Sequence, residues 1–275
     1  MYMHGDLLCY AGLAFACKKG ARMCHHPSEA GAILPVSGGS GVSERWFEVE
    51  STDVRLPVFE ATPDATSRGV VIIIHDIFGA RPFYQNLAAR YAGVGYTAVL
   101  PDLFVRQGAL AEETMEHARA RGALLSYRQA IVDLQRVVDA YAGRGAKLAT
   151  VGFCMGGTLV MLLGAREPRL AAGIIYYGFP ANPAISENRP WEPLQEAAEV
   201  RTPLLGFWGD QDHGVGMDNV ERYRSALSAA GVPFDFTIYP GAPHGFLAFD
   251  GSKPYLDESN DSWEKSLRFL AEHVG

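Results

Sequence analysis

Residues 152–156 read Gly-Phe-Cys-Met-Gly, which places Cys154 at the centre of a turn flanked by glycines. The residues before it predict a strand and those after it a helix, so the sulfur would be held above the sheet at a sharp strand-to-helix turn. Backbone N–H groups and the helix dipole at such a position favour the thiolate over the thiol. Cys154 is therefore a candidate nucleophile. The alternative is a buried structural cysteine, because free cysteine is among the most buried residue types.

Two later loops carry groups that could complete a catalytic triad. Asp210 and Asp212 follow an apolar strand, and His244 lies in the turn-rich sequence YPGAPHGF at 239–246. The order nucleophile, acid, histidine is typical of acyl hydrolases with a parallel sheet. In such a triad the histidine exchanges the proton of the nucleophile and the acid fixes its tautomer. Both aspartates could instead be turn residues, and His213 competes with His244 as the base.

A third loop, with sequence HDIFG at 75–79, follows a long apolar run. At this place in such a fold, the backbone amides of Ile77 and Met155 are predicted to bind a developing oxyanion. Asp76 would lie close to the sulfur, with the alternative that its carboxylate caps the following turn. His75 could be a histidine with satisfied hydrogen bonds at the end of a strand.

The rest of the pattern predicts an α/β fold. From Trp46 onward, strand-like and helix-like segments alternate, which predicts a mostly parallel sheet of about eight strands with helices on both faces. The β-branched run at 69–75 predicts a central strand buried on both faces. The more polar helix at 112–122 is predicted to cover the site as a small lid. The predicted strands are 46–50, 55–60, 69–75, 96–100, 147–152, 171–177, 203–208 and 234–239, and the predicted helices are 83–93, 112–122, 126–141, one ending at 165, 219–230 and 262–273.

Length and composition predict a single folded domain. The chain has 275 residues, of which 48% are apolar, enough for one large domain from 45 to 275. Residues 1–44 are predicted to be a disordered or loosely attached extension, because they end in a Gly/Ser/Pro-rich stretch. A net charge of −7 without a basic run argues against nucleic acid or an anionic membrane as a partner.

The N-terminal residues also bear on the compartment. The apolar run at 7–17 is shorter than the roughly 20 residues of a membrane span, and no basic residue of a signal peptide precedes it. Three of the four cysteines crowd into the first 24 residues, which is no disulfide framework and fits the reducing cytoplasm. Cys24, His25 and His26 are consecutive and cannot easily converge on one ion. We therefore predict no metal and no organic cofactor.

Five motifs in order resemble the dienelactone hydrolase family: HDIFG, PDLFVR, GFCMGG, WGDQDH and PGAPHGF. The resemblance runs from about Trp46 to the C-terminus and implies the α/β-hydrolase fold. It implies that Cys154, Asp212 and His244 form the triad, with Asp212 preferred because it is the aspartate before the histidine of WGDQDH. It also implies that Asp76 pairs with the resting thiol and takes its proton when substrate binds.

The same resemblance predicts how substrate is bound. Arg106, in PDLFVR, matches a family arginine that binds the substrate carboxylate. A second family arginine, four residues past the histidine, is replaced by Ala248. This replacement weakens the expected clamp on an anionic lactone, since a charge-assisted pair contributes roughly 1.5–3 kcal/mol. An aromatic pocket wall is predicted from Phe78, Phe104, Tyr176, Tyr177, Phe179 and Phe246.

Together these patterns predict a cysteine-dependent hydrolase of a small carboxylic ester or lactone. Catalysis would pass through an acyl-enzyme on Cys154, and the protein would be a monomer or homodimer. One alternative is a binding protein of the same fold, or a redox sensor, in which Cys154 is a reactive thiol without turnover. Another is a thioesterase or other acyl hydrolase, because the same groups serve all acyl transfers.

Overall fold

An eight-stranded sheet forms the centre of the computed structural model, which describes residues 41–143, 145–181 and 185–275. The strands are β1 (Val42–Glu50), β2 (Arg55–Pro63), β3 (Val70–Ile74), β4 (Thr97–Pro101), β5 (Leu148–Phe153), β6 (Leu170–Tyr176), β7 (Leu204–Gly209) and β8 (Phe234–Tyr239). Their order is β1-β2-β4-β3-β5-β6-β7-β8. β1 and β2 pair in antiparallel fashion with each other, and β2 does so with β4, whereas the other pairs are parallel.

The middle of the sheet is β3, whose sequence VVIII is buried at every position. It pairs with β4 on one side and β5 on the other, both in parallel. Continuous β-branched residues suit a strand covered on both faces, because no face needs polar side chains. The predicted α/β fold, with eight strands and a central strand in this segment, is confirmed.

The edge hairpin is longer than predicted. β1 begins at Val42, three residues before the expected domain start at 45, and pairs along its whole length with β2. The predictions for the apolar run at 7–17, for the first three cysteines, and for His25 and His26 lie outside the described residues.

Six helices flank the sheet in the described ranges: α1 (Pro82–Gly93), α2 (Met115–Ala123), α3 (Tyr127–Ala142), α4 (Met155–Gly164), α5 (Met217–Ala229) and α6 (Leu256–His273). The helix predicted at 126–141 corresponds to α3, and its apolar side chains Ile131, Leu134, Val137 and Val138 are buried. A 3-10 helix at Pro193–Glu199 was not predicted.

α6 begins six residues earlier than its predicted start at 262. The residues before 262 are mostly polar, so the sequence does not indicate that the helix begins there. Three serines of α6 are nevertheless buried. Ser259, Ser262 and Ser266 each donate a hydroxyl hydrogen bond to a carbonyl one turn earlier in the chain. These bonds satisfy the hydroxyls inside the helix, so polar residues can pack against the sheet.

The fold brings the predicted chemical groups to one edge of the sheet. The loops that carry them follow the carboxyl ends of β3, β5, β7 and β8, four strands that run in the same direction. Ligands collect at this edge in open α/β sheets. Over the described part of the chain, no helix has the length and apolar character needed to cross a membrane.

Candidate active site

Cys154 forms the turn between β5 and α4, with φ 56° and ψ −115°. Such a conformation is strained for a residue with a side chain and costs about 1–3 kcal/mol. The two flanking glycines make it attainable. A Cβ at Gly152 would lie 2.2 Å from the carbonyl oxygen of Gly156, and one at Gly156 would lie 2.0 Å from that of Ile74. α4 therefore packs against the strands at a distance that only glycine allows, with Cys154 at its amino end.

The loops after β7 and β8 meet each other next to this turn. Gln211 N donates to Ala242 O at 3.0 Å, which joins the two loops. Nδ1 of His244 lies 2.6 Å from Oδ2 of Asp212, and both side chains are buried. With Nδ1 bound to the carboxylate, Nε2 is the nitrogen left for the nucleophile, and His244 and Cys154 line the same cavity.

The neighbouring candidates have other partners. Asp210 is exposed, and its Oδ1 accepts from Gly241 N at 2.7 Å, as a turn residue would. His213 is exposed as well. Asp212 instead uses its second oxygen, Oδ1, to accept from Val215 N at 3.1 Å, which fixes the carboxylate toward His244.

His244 has a high affinity for a proton. Burial alone would lower its pKa, but the negative charge of Cys154 and the hydrogen bond to Asp212 outweigh burial and raise the pKa to about 10. While Cys154 is ionised, a histidine with this pKa is an imidazolium at neutral pH. The arrangement favours a thiolate–imidazolium pair, the reactive form of a catalytic cysteine.

The two residues predicted to supply the oxyanion donors line the same cavity as Cys154. Ile77 and Met155 both line it beside Cys154. Met155 is the first residue of α4, so its N–H has no carbonyl partner within the helix. Ile77 lies in a turn closed by a hydrogen bond from Gly79 N to Asp76 O at 3.1 Å.

Asp76 is fully buried and bonded within its own segment. Oδ1 accepts from Phe78 N at 2.9 Å, and Oδ2 accepts from Nη2 of Arg81 at 2.9 Å. Asp76 is not among the residues that line the cavity with Cys154. These contacts agree with the alternative that the carboxylate caps the turn, with Arg81 as its counter-ion.

His75 is a satisfied buried histidine. Nδ1 lies 2.7 Å from Asp76 O, and Nε2 lies 3.1 Å from Leu103 N. Because Nε2 accepts the Leu103 N–H, the proton of the neutral ring is on Nδ1, which donates to the Asp76 carbonyl. Burial lowers the pKa of His75, so the ring is neutral and bonded at both nitrogens.

The cavity beside Cys154 has a volume of about 240 Å³. α2 supplies four of its lining residues, which fits the predicted lid. The lining consists of Ile77, Met115, Arg119, Gly122, Ala123, Tyr127, Cys154, Met155, Phe179, Arg189 and His244. A wider cavity of about 790 Å³ lies at the opposite edge of the sheet, at the amino ends of β3, β4 and β5, and contains no predicted site residue.

The structure corrects the prediction for Arg106. Its guanidinium donates to Asp53 at 3.1 Å through Nε and to Asp133 at 2.7 Å through Nη1, and Arg106 does not line the cavity. The β1–β2 turn and α3 supply these two carboxylates, so the guanidinium fastens the hairpin to the helix. Ala248, where the second arginine was expected, is fully buried.

The aromatic wall is also different from the predicted one. Of the aromatic side chains proposed for it, Phe179 lines the cavity, whereas Phe78, Phe104, Tyr176, Tyr177 and Phe246 do not.

Two of these side chains pack beside His244, one directly and the other through the first. The ring of Tyr177 lies 4.9 Å from that of His244, and the ring of Phe246 lies 5.7 Å from that of Tyr177. The others pack elsewhere: Phe78 lies under Arg81, Phe104 stacks on His75, and Tyr176 contacts Ser266 in the core.

Arg189 is the main cavity residue that the sequence did not indicate. It comes from the loop after β6, and its Nη2 donates to Gly122 O in α2 at 2.6 Å. Its guanidinium lies 5.2 Å from the ring centre of Tyr127, over the ring face. Arg119 adds a second guanidinium, and no carboxylate lines the cavity. Two arginine side chains therefore border the cavity that contains Cys154.

Within the described ranges, no group of three or more histidine, cysteine, aspartate or glutamate side chains is arranged to hold a metal ion.

An eight-stranded sheet with a nucleophile turn, an acid loop and a histidine loop along one edge defines an α/β-hydrolase. Residues 56–274 match the model of the dienelactone hydrolase family, and the chain belongs to that family. The predicted fold and family are confirmed, and the chain is a hydrolase of this class.

Individual relatives agree. The chain is 29% identical to a carboxymethylenebutenolidase of Rhodococcus opacus over 254 residues, which are 92% of this chain and 98% of the relative. A solved structure from Klebsiella pneumoniae, named "Putative Dienelactone Hydrolase", is 28% identical and superimposes with a TM-score of 0.79 over 84% of this chain and 99% of that one. A dienelactone hydrolase-like promiscuous phosphotriesterase from metagenomic libraries, 18% identical with a TM-score of 0.68 over 86% of this chain and 100% of that one, shares the fold.

Proposed function

We propose that this protein hydrolyses a carboxylic ester or lactone with Cys154 as the nucleophile, through a thioester acyl-enzyme. The observation that carries the proposal is the pairing of Cys154 with a histidine whose pKa is raised to about 10 and whose Nδ1 is fixed by Asp212. A structural cysteine needs no such pair, and neither does a binding protein.

Acylation uses the ion pair directly. The Cys154 thiolate attacks the carbonyl carbon, an S–C bond forms, and the carbonyl electron pair moves to oxygen. The amides of Ile77 and Met155 stabilise that oxyanion, for which each donor is worth roughly a factor of 10²–10³. When the intermediate collapses, the C–O bond breaks and the leaving alkoxide takes the proton from Nε2 of His244.

Deacylation returns the ion pair. Neutral His244 takes a proton from water, the hydroxide oxygen bonds to the thioester carbon, and a second oxyanion forms at the same amides. Its collapse breaks the S–C bond and releases the carboxylic acid and the thiolate. Asp212 holds the ring in the required tautomer throughout.

The cavity suggests which substrates fit. A volume of about 240 Å³ with the apolar side chains of Met115 and Phe179 in its lining suits a small acyl group, and the guanidinium of Arg189 favours a substrate with a carboxylate. We propose that Arg189 takes the role that the family resemblance implies for Arg106. The printed name of the Rhodococcus relative, a carboxymethylenebutenolidase, is consistent with an anionic lactone.

The experiment uses the full chain and two substrates, an anionic dienelactone and the neutral p-nitrophenyl acetate. Cys154→Ala should abolish turnover of both, whereas a control variant with serine at Cys9, Cys17 and Cys24 should keep it. Hydrolysis that survives Cys154→Ala would refute the cysteine mechanism.

Mass spectrometry during turnover should find the acyl group on Cys154. A protein without turnover of either ester whose Cys154 is oxidised by peroxide would instead support the redox-sensor alternative. Faster cleavage of an acyl thioester than of both oxygen esters would support the thioesterase alternative. The cytoplasmic location, the monomeric or homodimeric state and the division at residue 44 stay predictions.

A further inference from the structure

The peptide that carries the Ile77 N–H is held by two hydrogen bonds on its carbonyl side. That carbonyl belongs to Asp76, and it accepts from Nδ1 of His75 at 2.7 Å and from Gly79 N at 3.1 Å. Because an amide is planar, fixing its carbonyl also fixes the direction of its N–H. His75 thus acts on the oxyanion donor without lining the cavity.

The peptide that follows Ile77 is held at both ends. Its N–H, from Phe78, donates to Oδ1 of Asp76 at 2.9 Å, and its carbonyl, from Ile77, accepts from Nη2 of Arg121 at 3.1 Å. This is the central peptide of the turn from 76 to 79. Rotation of the central peptide is what separates type I from type II turns, and the two contacts oppose that rotation.

Arg121 is itself placed by contacts on several sides. Nη1 donates to Gly108 O at 3.0 Å, and the guanidinium lies 4.0 Å from the ring centre of Phe104. A Cβ at Gly79 would come within 3.2 Å of Nη2, so the guanidinium packs directly on the turn. Arg121 belongs to α2, the helix that lines the cavity.

We propose that Arg121 is a positioning residue of the oxyanion hole. Arg121 holds the Ile77 turn in the orientation in which its N–H serves as a donor, and it makes that orientation depend on α2 lying over the cavity. The proposal rests on the proposed function, because it concerns the oxyanion formed during acyl transfer to Cys154. Arg121 does not touch the substrate. It acts through the Ile77 carbonyl, and the hydrolytic site is complete only when α2 is docked.

The test separates oxyanion stabilisation from thiolate reactivity. Arg121→Met keeps a long side chain and removes the guanidinium, Arg121→Lys keeps the charge, and Arg268→Met is the control, an exposed arginine of α6. Each variant is assayed for p-nitrophenyl acetate hydrolysis and for alkylation of Cys154 by iodoacetamide. Alkylation forms an S–C bond and releases iodide, so it needs the thiolate but no oxyanion hole.

We expect Arg121→Met to lower kcat about 10–100-fold, with a change in KM of less than about threefold, because a displaced donor fails only in the transition state. The alkylation rate should stay within about twofold of the wild-type rate, since thiolate formation is untouched. The kcat of Arg121→Lys should lie between those of Arg121→Met and the wild type, and the kcat of Arg268→Met should equal that of the wild type. Thermal unfolding of each variant checks that the fold is intact, and if Arg121→Met does not fold, Arg121→Lys carries the same comparison.

Three results would overturn the proposal: an unchanged kcat, an effect confined to KM, or a parallel loss of hydrolysis and alkylation. The first would show that the Ile77 turn holds itself, the second that Arg121 acts on substrate binding, and the third that the whole site is disturbed. Hydrolysis by Cys154→Ala protein would be a separate failure, that of the cysteine mechanism.

Discussion

Oδ2 of Asp212 lies 2.6 Å from Nδ1 of His244, while Asp210, two residues earlier, is exposed and accepts from a backbone N–H. The two aspartates share one loop and one side-chain type, yet only one of them contacts the histidine. Asp210 is therefore a matched control for Asp212.

We expect Asp212→Asn to lower kcat/KM for p-nitrophenyl acetate by roughly 10²–10⁴, because an amide no longer fixes the required tautomer of His244. Asp210→Asn should change it by less than about twofold. Steady-state kinetics on both variants check this. Equal losses in the two would mean that the loop, and not the carboxylate, matters.

The pKa of His244 should depend on Cys154. Burial alone would lower this pKa, and the thiolate charge is the largest of the contributions that raise it to about 10. In Cys154→Ala protein the His244 pKa should therefore fall, as followed by NMR titration of the ring Cε1–H. In the wild type, hydrolysis should decline at alkaline pH as His244 loses its proton near pH 10 and can no longer protonate the leaving group. The same His244 pKa in both proteins would refute the ion pair.

Substrate charge should distinguish two arginines. Arg189 lines the cavity, so Arg189→Met should raise KM for an anionic dienelactone about tenfold or more and leave KM for the neutral ester within about threefold. Loss of the bond to Gly122 O would lower kcat for both esters alike. Arg106→Met should spare this selectivity, because Arg106 binds Asp53 and Asp133. Kinetics with both esters provide the measurement, and an Arg106 effect confined to the anionic substrate would reverse the assignment.

Stability should respond to Arg106 instead. Asp133 is fully buried, and the removal of its guanidinium partner leaves a carboxylate with weaker hydrogen bonding. We expect Arg106→Met to lower the free energy of unfolding by about 1.5–3 kcal/mol in urea titrations. An unchanged urea midpoint would show that Ser51 and Gln129, which also contact Asp133, suffice.

Acid should destabilise the protein through His75. Burial lowers its folded-state pKa below 6.5, so on acidification the unfolded chain binds a proton that the folded chain does not. The contribution of His75 to the unfolding free energy is fully present above pH 6.5 and is lost as the pH falls. Its slope is at most about 1.4 kcal/mol per pH unit. His75→Asn, which keeps a donor near the Asp76 carbonyl, should flatten the pH dependence of the unfolding free energy. Parallel curves for the two proteins would exclude this contribution.

The sequence predicts the sheet and the turn that carries Cys154 because their signals are local. The run at 69–75 and the turn at 152–156 each carry the pattern of their element within a few residues. The choice between Asp210 and Asp212 came from the family motif, and the contact with His244 agrees with it.

The residues that line the substrate cavity are brought there by tertiary contacts, so local sequence patterns could not predict them. The ion-pair partners of Arg106 lie 53 and 27 positions away in the chain. No neighbouring residue therefore indicates that its guanidinium is already bound to carboxylates. Arg189 reaches the cavity from a loop without periodicity. For Asp76 a local signal did exist, because its counter-ion Arg81 is five residues further along the chain.

α2 buries little of its own surface, since Ala118 and Gly122 are its buried residues. It is fastened largely by bonds to carbonyls, from Arg121 to Ile77 O, from Arg189 to Gly122 O and from Asn188 to Ala123 O. Displacing such a helix exposes few apolar atoms, and apolar exposure is what gives unfolding its large heat capacity change and its sensitivity to denaturant. Opening of the cavity should therefore have a heat capacity change near zero. Mild denaturant should change the free energy of this opening far less than it changes the free energy of global unfolding.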